Sequence, residues 1–468
     1  MDSRPNIVWV TLDSVRQNRT TMGGHHRDTT PRLQRMAEVG RSFSTCIAAG
    51  IWTLPSSASI LTGTYPSHNT VGIDGESVPS ELPTVAERFS DSGYRTACLS
   101  RNGHLSGATG MDRGFDRFSW LAASTVLPAA GPRTLAKYLL NIRRHSAGFT
   151  TETAKHATPF LMNDIAKRWL DDLAGEEPFF CYLHYNEPHR PFVPPLPWQS
   201  RYADEIDATV EEAIDIAMEA HRDMHARVAS GDPLTERERE ALLAMYDAEV
   251  AYTDECIGRL HDRVRGLDTD RETLFLVTAD HGEMLGDRGL LAHNLVVDDA
   301  LVNVPLVATG LDGLTDGDGL APANDDIVQH TDLMRTLLEA GEADTDGIQG
   351  VDLRTERREF AISQRSPTDF ELYLEHDPSF ETSRFHAGLL TGLRTETHRY
   401  QRSDDRAELL RLPDETTDVS DSEPELAAEL DERLDEWLAT EGAPVGEGRD
   451  AEFDDAMRRQ LSDLGYVE

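Results

Sequence analysis

The sequence predicts an α/β protein: a doubly wound, mostly parallel central sheet with helices on both faces, followed by a smaller C-terminal α+β domain. Three observations predict it. Short apolar, β-branched runs alternate with amphipathic helical stretches, the pattern of a parallel sheet covered on both sides. Several of those runs end directly in acids or histidines. From about residue 371 the alternation gives way to short strands and one acidic helix.

Asn6 to Leu12 reads as a buried strand with Asp13 at its carboxyl end. A helix is predicted from Thr30-Pro31 to Glu38, stopped near Gly40, and another from Thr84 to Ser92, closed by Gly93. Tyr94 to Leu99 is the next strand. Residues 154–173 form an amphipathic helix, and Pro178 to His184 a strand. Residues 203–232 are an acidic, mostly helical insertion, and a long helix spans about Leu234 to Leu267. Thr273 to Ala279 is the clearest buried strand, ending at Asp280. Val304 to Val307 is a further strand and Thr331 to Gly341 a further helix. Phe385 to Leu393 and His398 to Gln401 read as short strands, and Pro424 to Thr440 as an acidic helix. The expected division is a catalytic domain over residues 1–370 and a smaller domain over 371–468. No internal repeat is visible.

Composition narrows the function. Acidic residues number 84 against 45 basic ones, a formal charge of −39. Lysine occurs at 137, 155 and 167 alone, so the positive charge is nearly all arginine. The acid is spread along the chain, as on a halophile's surface. In molar salt the Debye length falls to roughly 3 Å, and dense carboxylates then repel weakly while keeping the protein soluble. With no basic stripe, nucleic-acid binding is not expected. Cys46, Cys98, Cys181 and Cys256 lie far apart, so disulfides and a zinc knot are not expected. No apolar run approaches 18 residues and no signal peptide is apparent, which predicts a cytoplasmic protein without a membrane span.

Chemistry gathers at the predicted strand ends, where ligands bind in open α/β sheets. Trp52 to Gly63 places Thr53 at the start of a helix, with Pro55 in the first turn. Thr53 is either a helix cap or a hydroxyl nucleophile facing an anionic ester at the positive helix end. Asp280-His281-Gly282-Glu283 sets an acid beside an imidazole, a pairing that suits a divalent cation. Asp13, Thr53, Asp280 and His281 make a plausible four-ligand metal set. Hard oxygens with one histidine suit Ca, Mg, Mn or Zn. His189, between Pro188 and Pro191, is fixed by its loop and has two possible jobs: binding an ester oxygen or protonating a leaving group. His293 is a second candidate of that kind. Arg16, Arg101, Asn102 and His104 are candidate substrate contacts.

Together these segments resemble the sulfatase family of the alkaline phosphatase superfamily, in a haloarchaeal-type form with threonine at the nucleophile position. The likeness is carried by Pro5 to Asp13, Thr30-Pro31 to Phe43, Thr53 to Pro66, Gly93 to Ala97, Gly114-Phe115-Asp116, Pro178 to His189 and Thr278 to Glu283. It continues through Asp332 to Leu338, Gly350 to Leu353 and Arg394 to Tyr400. The resemblance implies an alkaline-phosphatase-like fold, an ester hydrolase, one divalent cation and a covalent intermediate on the nucleophile. True sulfatases place a cysteine or serine, converted to formylglycine, where this chain has Thr53, and an arginine where it has Ser57. Formylglycine is therefore not expected. Asp13-Ser14 replaces a common pair of acids, Arg101-Asn102-Gly103-His104 replaces a lysine-tryptophan-histidine segment, and His293 stands near a second family lysine. Threonine nucleophiles with an adjacent Asp-His pair and a downstream histidine are known in lipoteichoic-acid synthases and phosphoethanolamine transferases of the same superfamily.

The expected function is a metal-dependent hydrolase of sulfate or phosphate esters, small-molecule or carbohydrate, acting through Thr53, with His189 or His293 as general acid. A phosphodiesterase or phosphoryl-head-group transferase is one alternative, and a catalytically silent binding protein is another.

Overall fold

Asn6–Leu12 forms β1, buried along its whole length at the middle of an eight-stranded sheet. The structure is a computed structural model and describes residues 4–122, 124–148, 155–315 and 319–465. The other sheet strands are β2 (Arg41–Ile47), β3 (Arg95–Ser100), β4 (Arg117–Trp120), β5 (Phe179–Tyr185), β6 (Thr273–Ala279), β9 (Asn303–Thr309) and β10 (Ile327–Gln329). Their order is β10-β2-β9-β6-β1-β5-β3-β4. Neighbours are parallel except at β9, which runs antiparallel to both β2 and β6. This is the mostly parallel sheet that the apolar runs predict. Strands buried on both faces carry almost no polar alternation: in β1 and β5 every residue is buried.

Helices cover both faces. The helix Val85–Asp91 starts with a complete capping box, Thr84 accepting from the Glu87 amide while Glu87 accepts from the Thr84 amide. The insertion repeats the device: Thr209 and Glu212 cap Val210–Arg222, which is followed by the helix Met224–Ala229. Both pack against the long helix Glu236–Val264 or its surroundings, itself capped by Thr235 and Glu238. The helix expected over 154–173 begins at Pro159, a first-turn proline. Thr158 caps nothing there; its amide and hydroxyl go instead to the Glu187 carboxylate. Residue 154 lies outside the described residues.

A second, antiparallel sheet follows, in the order β11 (Ala361–Arg365), β12 (Leu390–Arg394), β13 (His398–Arg402) and β14 (Ala407–Arg411). Its first strand thus lies ahead of residue 371. The strand expected over 385–393 starts only at Leu390. The reason is that the carbonyls of His386 and Gly388 accept from the Arg365 guanidinium instead of entering a ladder. Helix Pro424–Ala439 packs on this sheet through Leu430, Leu434 and Trp437.

The two sheets are stitched by hydrogen bonds from Gln364 N to Ala49 O (2.8 Å) and from Ser363 Oγ to Ala48 O (2.6 Å). A helix not foreseen from sequence, Asp455–Asp463, returns to the large domain. Its Gln460 donates to Arg101 O and accepts from Trp120 Nε1, both at 2.6 Å. The four cysteines are buried and unpaired. No helix among the described residues is long and apolar enough to cross a membrane.

Candidate active site

Strand register assembles the site. Leu12 pairs with Tyr185 on one side and with Ala279 on the other. The residues that follow, Asp13, Asn186 and Asp280, therefore emerge together at the carboxyl edge of the sheet. Asp13 and Asp280 are fully buried. Ser14 turns the chain with a φ of 66°, in the left-handed region where non-glycine residues are uncommon. Its hydroxyl donates to Asp13 Oδ1 at 2.9 Å and its amide to Asp280 Oδ1 at 3.3 Å. Tyr246 clamps the turn, donating to Ser14 O at 2.8 Å.

Thr53 is the first residue of helix Thr53–Thr62, with Trp52 in the capping position. The cap reading of Thr53 is thereby corrected: the extended backbone of the preceding residue starts the helix. Pro55 is wedged between Gly50 and Gly72, either of which would put a side-chain carbon within 3 Å of the proline ring. That packing fixes the helix start. Thr53 Oγ1 lies 3.2 Å from His281 Nε2 and 3.4 Å from Asp13 Oδ2. His281 Nδ1 is taken up by Gly282 O at 2.8 Å, so Nε2 is the nitrogen left facing the threonine.

The four residues expected to hold a metal are thus brought together. His281 Nε2 is 3.5 Å from Asp13 Oδ1 and 3.8 Å from Asp280 Oδ2. His184, on β5, adds an imidazole that sequence reasoning missed. Ligand atoms of Asp13, His184 and Asp280 lie within 4.8 Å of one another, and His184 Nε2 is 3.3 Å from Asp280 Oδ2. A histidine next to the carboxyl end of the apolar run Phe179–Tyr185 was the available signal. Asn102 also joins the cluster, donating from Nδ2 to Asp13 Oδ2 at 3.2 Å. Burial and the neighbouring Asp280 push Asp13 up to about 7. Burial acts the same way on Asp280, but His281 and His184 outweigh it and hold that carboxyl well below the usual range. Two buried carboxylates beside two imidazoles and a hydroxyl are a donor set that a hard divalent cation fits.

Three imidazoles line the open side. The His281 and His293 ring centroids are 4.5 Å apart, and those of His293 and His189 5.5 Å. His189 Nδ1 bonds Arg190 O at 2.8 Å. His293 Nδ1 faces Glu283 Oε1 at 3.3 Å. Glu283, pushed up to about 7 by burial, was not singled out from sequence. Burial also lowers His189 and His293 well below the ordinary imidazole value, reinforced by neighbouring positive groups. His293 and Trp52 form one wall of a cavity of about 600 Å³.

The remaining expected contacts divide. His104 is buried with its ring edge-on to Trp52 at 5.4 Å, and burial pushes it down to about 3. Arg101 turns away and donates to Leu121 O at 3.2 Å. Arg16 is engaged elsewhere: Asp287 at 2.6 Å, Glu283 O at 3.2 Å and Asn18 Oδ1 at 3.0 Å hold its guanidinium. It props the 283–287 turn and does not join the cluster around Thr53.

A buried acid and histidine set at the carboxyl edge of such a sheet, beside a helix-borne hydroxyl, is that of an alkaline-phosphatase-like hydrolase of sulfuric or phosphoric esters. The family model described as "Sulfatase" matches residues 5–343, and the chain belongs to that family. It is similar to an arylsulfatase of Clostridium perfringens (strain 13 / Type A), 24% identical over 81% of this chain and 82% of that protein. It is likewise similar to a choline-sulfatase of Rhizobium meliloti (strain 1021), 27% identical over 74% of this chain and 70% of that one. Among solved structures, the phosphonate monoester hydrolase of Agrobacterium radiobacter shares the fold, with a TM-score of 0.71 at 19% identity, covering 94% of this chain and 96% of that one.

Proposed function

We propose that this chain is a divalent-cation-dependent hydrolase of sulfate or phosphate esters in which Thr53 forms the covalent intermediate. The observation that carries the reading is the position of Thr53 Oγ1. It sits at the first turn of a helix, 3.2 Å from His281 Nε2 and 3.4 Å from Asp13 Oδ2.

Asp13, Asp280 and His281, with His184 beside them, are the residues that would hold the cation. A cation bound there supplies Lewis acidity toward the ester oxygens and the threonine hydroxyl. Thr53 Oγ passes its proton to Asp13 Oδ2 and attacks sulfur or phosphorus, forming the Thr53 ester as the bond to the leaving alcohol breaks. The positive helix end and Asn102 lie beside the charge that develops. His293 takes the Glu283 carboxyl proton at Nδ1 as it delivers its Nε2 proton to the leaving oxygen. His189 donates its Nδ1–H to the Arg190 carbonyl, which leaves the Nε2 lone pair to accept from the incoming water. Water then gives a proton to His293 Nε2, whose Nδ1 proton returns to Glu283, and attacks the Thr53 ester; threonine recovers its proton from Asp13, and inorganic sulfate or phosphate departs.

Phosphorus has one specific argument in its favour. A plain threonine ester cannot break down by the hemiacetal route open to formylglycine. Phosphate monoesters and diesters therefore belong in the assay beside sulfates.

The test is turnover of 4-nitrophenyl sulfate, phosphate and a phosphodiester, with Mg, Ca, Mn or Zn, in molar KCl. One substrate class should be hydrolysed, and mass spectrometry of the quenched protein should find the added group on Thr53. Thr53→Ala retaining full turnover at unchanged metal content would end the nucleophile assignment. A metal-loaded protein inactive on all three esters would favour the silent binding protein.

A further inference from the structure

The cavity beside His293 carries an unusual charge for this molecule. The chain has 84 acids against 45 basic residues, yet the wall is formed by Arg190, Arg222 and Arg365, with His221 and His225 between them. Asp369 is the one carboxylate among the described lining residues, and it is exposed and caps the helix Glu371–His376 through the Glu371 amide.

Two of the arginines are buried without a salt bridge among the described residues, although the charge of Asp405 reaches Arg365. Arg190 is 6% exposed and Arg365 2%. Arg190 Nη1 donates to His221 Nδ1 at 3.1 Å and Nη2 reaches Gly465 O at 3.4 Å. Its Nε has no partner among the described residues, and no carboxylate there pairs with it. Its charge reaches Glu283, but no hydrogen bond joins the two. Arg365 is held by neutral acceptors: the carbonyls of Ser366, His386 and Gly388 and the Thr368 hydroxyl. Its Nε is likewise without a partner. Buried charges are ordinarily paired. Here two of them, from different domains, face one space whose far wall reaches the Thr53 centre through His293.

We infer that this cavity is a subsite for a second anionic group, so that the substrate is an ester carrying an additional fixed negative charge, gripped by Arg190 and Arg365 while the ester lies at Thr53. Arg190 keeps a spare hydrogen on each Nη for a carboxylate, sulfonate or phosphonate oxygen pair, while Arg365, its Nη hydrogens held by neutral acceptors, adds positive charge. This deepens the ester-hydrolase reading and rests on it for the position of the reacting group.

Binding is measured on the metal-loaded full chain by calorimetry with inert anions: benzenesulfonate against 4-sulfobenzoate, and phenylphosphonate against 4-phosphonobenzoate. In at least one pair the dianionic or carboxylated member should bind tenfold or more tightly. Arg190→Gln should reduce that ratio to near one. Arg222→Gln, at the exposed mouth where folding is not at risk, should lower it severalfold. Equal affinities within both pairs, or a preference that survives Arg190→Gln in folded protein, overturn the subsite. None of the four probes can be hydrolysed, so failure of the hydrolase reading shows in turnover of the nitrophenyl esters while these affinities report the subsite alone.

Discussion

His293 Nδ1 lies 3.3 Å from Glu283 Oε1, and both side chains are buried. A short strand pair, β7 (Met284–Leu285) with β8 (Leu291–Ala292), brings the two residues together across the intervening turn. A protonated carboxyl donating to one ring nitrogen fixes the tautomer and leaves the proton on the other nitrogen, facing outward. Glu283→Gln should therefore lower kcat about 10- to 100-fold with little change in KM. Turnover of an ester with a poor leaving group should suffer more than that of a nitrophenyl ester, whose oxygen needs little protonation. Equal losses on both would count against His293 as the proton donor.

His184 should matter to the cation although it lies outside the Asp-His pair. Its ligand atom and those of Asp13 and Asp280 lie within 4.8 Å of one another. His184→Asn should weaken cation binding roughly 10- to 100-fold, and Asp280→Ala should abolish it. Titration calorimetry with each of the four candidate metals reads both. Undiminished stoichiometry in Asp280→Ala would dismantle the proposed centre.

Gly282 admits no side chain. A carbon there would stand 2.0 Å from Ala300 O, because the Gly282 amide bonds Leu301 O at 2.7 Å. Gly282→Ala should cost about 1–3 kcal/mol by overpacking and displace His281. Denaturant unfolding should show the loss of stability, and cation affinity should fall with it.

Stability should decline in mild acid through His330. This ring is buried, bonds Thr278 Oγ1 at 2.8 Å, and is pushed by burial down to about 4. Its folded value lies below the unfolded one near 6.5, so below that pH the unfolded chain binds the extra proton. Stability is then lost as pH falls from 6.5 toward 4, about 3 kcal/mol over the window. Chemical denaturation at pH 7, 6 and 5 should show this slope, and His330→Asn should flatten it.

What the sequence made legible follows from locality. An acid directly after a buried strand stays at that strand's end whatever its neighbours, so Asp13 and Asp280-His281 could be placed in advance. Thr53 was readable from its own helix start. Residues whose partners are remote were not. Arg16 looks like an anion contact after a strand, but Asp287, 271 positions onward, claims it. Arg190 reads as one more arginine until the insertion, the small sheet and the returning helix close around it. Glu283 is informative only once the β7–β8 ribbon carries His293 back to it.

The central placement of β1 has a consequence for how the protein comes into being. β1 is bonded on one side to β5 and on the other to β6. Until Ala279 has left the ribosome this mostly apolar strand has an open edge. At about 5–20 residues per second that wait lasts some tens of seconds. Nascent chains should therefore depend on a chaperone to shield the very segment that later carries the first acid of the catalytic centre.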